Sequence, residues 1–180
     1  MQPEILKGMV MKVLKEFVIP FVGLKEGVHD YEFEIGKSFF ESFEYSEIEQ
    51  GSIRAEVSME KKERMLIFNF RLSGEVQLPC DRCLAPLNMP IEGADRLIVK
   101  FGLEYEEESE EILVIPETDS QIDISSFIYE YIMLKLPIQK IHPEGENLCD
   151  QTVVEKLEQH AQADTDPRWD ALKDLKNNID

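Results

Sequence analysis

An α+β fold is the class this sequence predicts: a curved antiparallel β-sheet or partly closed barrel, one main packed helix and a short C-terminal helical segment. Three observations lead there. Several segments alternate apolar and polar residues with period two, as in Tyr31-Glu32-Phe33-Glu34-Ile35 and Ser52 to Met59, which is the pattern of strands with one wet face. The segment Ile124 to Leu134 carries its apolar residues at helical spacing over three turns instead. With 180 residues and 43% hydrophobic composition, the chain can bury one ordinary core.

In chain order, Lys15 to Pro20 reads as a strand that passes through turns at Gly23 and Gly27 into the Tyr31 to Ile35 strand. Phe39, Phe40 and Phe43 fit one or two helical turns packed on that sheet. Ser52 to Met59 and Met65 to Leu72 flank the charged turn Glu60 to Arg64 and form a meander. Gly74 to Leu78 is a further strand or the end of a long bent one. Leu87 to Ile91 and Asp95 to Phe101 are the returning strands, so Cys80 to Cys83 falls at a hairpin tip. Between Lys100 and Lys135 there is no basic residue, and the acidic run there reads as a solvated loop or a docking patch for a basic partner. Asp123 is a good N-cap for a helix with Ile124, Phe127, Ile128, Tyr131 and Leu134 on one stripe, and Pro137 ends it.

Beyond Pro143 the composition turns polar. Val153 to His160 has helical character, Ala161 to Thr165 reads as a linker, and Asp166-Pro167 opens a short helix with Trp169 and Leu172 on one face. Such a helix is marginal alone, so Trp169 docks on its own domain, stays disordered or anchors a partner. The expected organisation is one α+β domain over 1–143 and a polar, partly flexible segment with a short helix over 144–180.

Charge narrows the function classes. Lysine and arginine number 19 against 37 acidic residues, a formal net charge of −18. Phosphate-backbone binding relies on Lys and Arg displacing condensed counterions, so a broad nucleic-acid surface is disfavoured and basic proteins are favoured partners. Arg54, Lys61, Lys62, Arg64 and Arg71 are the residues that a local RNA contact would use. The longest apolar run, Phe17 to Leu24, is interrupted by Pro20 and Gly23 and falls short of the ~20 residues of a membrane span. Lysines break the apolar runs of Met1 to Phe17, so no secretory h-region is expected, and the expected location is cytoplasmic, without membrane contact.

Chemistry concentrates in Cys80-Asp81-Arg82-Cys83. Three cysteines are too few, and odd in number, for a disulfide framework. A zinc site needs four soft or imidazole donors; Cys80 and Cys83 supply two, and Cys149 with His142 can supply the others. A redox dithiol is the second reading, but Leu84-Ala85-Pro86 leaves no room for the helix N-terminus that lowers such a thiol's pKa. The third is a turn steadied by two small apolar residues. No G-x-S-x-G, phosphate-cradling loop or HExxH occurs, and His29, His142 and His160 are scattered, so catalysis has no motif behind it.

The order and spacing of several short motifs give the chain a resemblance to the YceD family, the large ribosomal RNA subunit accumulation proteins of bacteria and plastids. These motifs are Leu24-Lys25-Glu26-Gly27, Gly74 to Leu84 with Pro86, Ile122-Asp123-Ile124, Leu134-Lys135-Leu136-Pro137-Ile138 and Asp166-Pro167-Arg168-Trp169 with Leu172-Lys173. The resemblance implies a non-enzymatic role in large-subunit assembly and 23S rRNA accumulation. Many family members carry further cysteines after the segment matching Leu136-Pro137. This sequence keeps Cys149, places His142 upstream and lacks the rest, which leaves Cys80, Cys83, His142 and Cys149 as one metal-ligand set. Charge and resemblance together point to a basic ribosomal protein or a large-subunit precursor particle as partner. Glu104, Glu106, Glu107, Glu108, Glu110 and Glu111 are the expected contact. The alternatives are a CxxC thiol-dependent redox enzyme and a direct rRNA-binding protein.

Overall fold

In the computed structural model, residues 14–143 and 149–161 are described. The Trp169 segment and most of the expected C-terminal segment lie outside them. The elements are β1 (Val18–Pro20), β2 (Gly27–Ile35), α1 (Lys37–Phe40), β3 (Gln50–Lys62), β4 (Met65–Pro79), β5 (Pro86–Gly102), β6 (Glu106–Ser109), β7 (Ile112–Pro116), β8 (Gln121–Asp123), α2 (Ser125–Leu134) and α3 (Gln151–Ala161). The fold is α+β. Six strands form one sheet in the order β2-β3-β4-β5-β7-β6, antiparallel except for the parallel β5–β7 pair. β2 and β6 are its edges, so the sheet does not close into a barrel. β1 and β8 make a separate antiparallel pair.

Alternation explains the sheet. Ile53, Ala55, Val57 and Met59 of β3 are buried and stand opposite Gly74, Leu72, Phe70 and Phe68 of β4. A slip of one residue would turn that whole set toward water, so the pattern fixes the register. Gly74 sits at φ +150°, where a side chain would press on the Ser52 carbonyl oxygen and lie 2.7 Å from Ile53 Cα. β4 thus continues as one long strand through Gly74 to Pro79, and β5 likewise joins the two expected returning strands into one.

Against the apolar face lie α1, α2 and the β1–β8 pair. Phe17 stacks on Phe33 at 5.0 Å, Phe43 on Tyr129 at 4.2 Å, and Phe70 meets Tyr131 edge-on at 5.1 Å. The N-cap position of α2 is Ile124 rather than the expected Asp123, one residue upstream, whose Oδ1 accepts from the Ser125 N–H at 2.8 Å. Its buried stripe runs through Ile124, Ile128, Tyr131 and Ile132, whereas Leu134 is 71% exposed, contrary to the expected stripe. At about 100° per residue, position 134 lies more than a quarter-turn from the line through 128 and 132.

The acidic run also differs from the expected solvated loop. Glu106–Ser109 is the edge strand β6, paired with Ile112–Pro116, which inserts beside β5. Leu113 and Ile115 of β7 are buried in the core, and this burial holds the acidic strand onto the sheet.

Candidate metal centre

The β4–β5 turn is built around its own hydrogen bonds. Cys80 N–H donates to the Ala85 carbonyl at 2.9 Å and Leu84 N–H to the Cys80 carbonyl at 2.8 Å. Closing so tight a turn puts Leu84 at φ +60°, a left-handed conformation that a non-glycine residue adopts at some cost, with its side chain 75% exposed. Both Cys80 and Cys83 are buried, packed with Leu87, Met89, Ile141 and Val153 in a small apolar cluster apart from the main core.

The chain after α2 returns to this tip. Asp81 and Lys140 are tied twice: Asp81 N–H donates to the Lys140 carbonyl at 2.7 Å, and Asp81 Oδ2 accepts from the Lys140 N–H at 2.7 Å. Lys140 Nζ in turn reaches Glu47 at 2.6 Å. These contacts bring His142 over the turn, and Cys149, just ahead of α3, arrives from the other side. The four donor atoms of Cys80, Cys83, His142 and Cys149 all lie within 4.8 Å of one another.

Three details test whether the group suits a metal. His142 Nε2 is 3.1 Å from the Pro86 carbonyl, a partner that can only accept, so this nitrogen carries the proton and the Nδ1 lone pair is free. Nδ1 lies 3.6 Å from both the Cys83 and the Cys149 sulfur. A tetrahedral zinc with bonds of about 2.3 Å to sulfur and about 2.05 Å to nitrogen spaces those atoms about 3.6 Å apart. Finally, burial opposes the thiolate at Cys80, but the backbone N–H groups of Cys83, Arg82 and His142, with the Cys83 side chain, outweigh it and bring the thiol down to about 6. At Cys149 burial, then the neighbouring Cys83 and Cys80, push the thiol up. A cation is what would let all three sulfurs ionise together. The donor set fits zinc, and the ion would tie the hairpin tip, the chain segment leaving α2 and the start of α3 at one point.

The redox reading fits less well. Cys80 is fully buried and Cys83 4% exposed, so neither sulfur is open to a substrate disulfide, and no helix begins at the motif. The basic patch is not assembled either: Arg54 pairs with Glu32 and Glu56, Lys62 with Glu60, and Lys61 donates to the carbonyls of Phe21, Val22 and Leu24. The acidic six are divided. Glu108 bridges to Lys100, Glu107 lies near Tyr105, Glu104, Glu106 and Glu108 border a small hollow, and Glu110 and Glu111 turn toward a larger groove. His29 contacts the Lys25 carbonyl, and Glu144 and Glu146 lie outside the described residues. Sequence reasoning missed the outer supports, Pro86 and the Asp81–Lys140 pair.

Residues 68–176, which contain all four donors, match the pattern of the family described as large ribosomal RNA subunit accumulation protein YceD. The chain belongs to the YceD family. Among its relatives is the uncharacterized protein YlbN of Bacillus subtilis (strain 168), 29% identical over 87 residues. That stretch is 48% of this chain and 49% of the relative, so the match spans about half of each. No solved structure matches the chain. No helix among the described residues is long and apolar enough to cross a membrane.

Proposed function

We propose that this YceD-family chain acts without catalysis in assembly of the large ribosomal subunit, sustaining accumulation of its RNA by holding a basic ribosomal protein. In this reading a structural zinc at Cys80, Cys83, His142 and Cys149 fixes the C-terminal part of the chain against the sheet. Family membership over residues 68–176 is the observation that carries the reading. A net charge of −18 supports a protein client over bare RNA, whose phosphates the chain repels.

Sedimentation of tagged protein in a native lysate gradient tests it. Co-migration with large-subunit precursors, and retention of a basic ribosomal protein after nuclease treatment, are the expected results. A protein that stays at the top of the gradient and brings down no basic client would refute the reading. Release of all partners by nuclease would favour direct RNA binding instead.

A further inference from the structure

The face of the main sheet turned away from the core is polar, and cross-strand register sets its residues in line. Asp30, Ser58, Asn69 and Arg96 stand opposite one another in turn, and so do Glu32, Glu56, Arg71 and Ala94, so two neighbouring rows cross β2, β3, β4 and β5. A groove of about 980 Å³ follows the rows and continues past the Glu110–Glu111 turn to Glu130 and Leu134 of α2. Seven carboxylates line it against two guanidiniums. Asp95 is engaged by Lys135 at 2.5 Å, and Glu32 and Glu56 share Arg54. Asp30, Glu110, Glu111 and Glu130 make no ion pair among the described residues. Burial first, then Asp95, Glu130 and Glu111, push the Tyr131 phenol beside this end up to about 12.

We propose that this groove binds an extended Lys- and Arg-rich segment of a protein, laid across β2 to β5. The inference rests on the basic-client reading and names which part of the client is held, and where. Length supports an extended chain. Four strands about 4.8 Å apart span about 15 Å, and the Glu110–Glu130 end adds about two residues' length, so six or seven residues at about 3.3 Å each fill the groove. Alternate side chains of such a segment face the same way, which sets the basic residues at every second position. RNA is the poorer occupant, because each phosphate would meet carboxylates on both walls with only Arg71 and Arg96 to receive it.

Fluorescence anisotropy with the full, zinc-loaded chain and a labelled eight-residue peptide of alternating lysine and threonine tests the inference. Two variants carry the same change in charge: Asp30→Asn/Glu110→Gln/Glu111→Gln/Glu130→Gln in the groove, and Glu44→Gln/Glu49→Gln/Glu75→Gln/Glu92→Gln outside it. All eight residues are exposed or partly exposed, and unchanged melting shows that both variants fold. The expected result is about tenfold weaker binding for the groove variant and less than about twofold for the other. Equal weakening by both variants, no effect of the groove variant, or no binding by the wild type would overturn the proposal. So would displacement of the peptide by a single-stranded RNA of equal length. Peptide binding in the groove without association with precursors would remove the assembly reading alone. Association with precursors without peptide binding would remove the groove alone.

Discussion

Replacing Cys149 by serine isolates what a metal contributes, because this ligand is only half-buried and its own packing is modest. Structural zinc sites with four ligands bind with roughly 10–16 kcal/mol, so losing one ligand costs on the order of 3 kcal/mol, or about a hundredfold in affinity. Stability follows by linkage. At free zinc buffered to 100 times the wild-type dissociation constant, the wild type gains about 2.7 kcal/mol and the variant about 0.4, a difference of about 2.3 kcal/mol. For a chain of this size that is roughly 5–9 °C in melting temperature. Thermal unfolding followed by circular dichroism, in buffered zinc and again with a chelator, measures it. The gap should open in zinc and close to within about 2 °C under chelation. A wild type whose melting ignores the chelator, or a gap of the same size in both conditions, would refute the reasoning.

Gly74 and Gly93 should separate two kinds of crowding. Gly74→Ala drives a side chain into the β3 backbone at a φ of +150°, and should cost more than about 3 kcal/mol by urea denaturation, whereas Gly93→Ala displaces only the Lys135 side chain and its Asp95 contact, at about 1 kcal/mol. Equal costs would contradict these packing assignments. Tyr131, with its folded-state pKa near 12 against about 10 unfolded, contributes stability that is complete below pH 10 and is lost as the pH rises through 12. The stability difference between wild type and Tyr131→Phe should therefore shrink across that window, and parallel pH curves would contradict it.

How much of this was legible varies with how local the signal is. β3 and β4 follow from alternation, and the hairpin tip from the cysteines between β4 and β5. β5 read as two strands because Pro90 and Gly93 punctuate it, yet the ladder with β4 continues past both. β6 and β7 were hidden by glutamates, although the short apolar run Ile112 to Ile115 carried the signal of a buried parallel strand. At the site, the Cys80–Cys83 spacing was visible, while His142 and Cys149 could be proposed only as partners that the fold would have to deliver. The structure brings all four together. Nothing in the sequence marks Pro86 as the acceptor that sets the His142 tautomer, nor Asp30 and Glu130 as walls of one groove, since register and helix placement create both relations.

X-ray absorption at the zinc edge of the purified full chain tests the central claim most directly. The account predicts one zinc per chain with three sulfurs at about 2.3 Å and one nitrogen at about 2.0 Å, and loss of the metal in Cys80→Ser/Cys83→Ser. Metal-free protein under zinc-replete conditions, or a shell without the three sulfurs and one nitrogen, would contradict it.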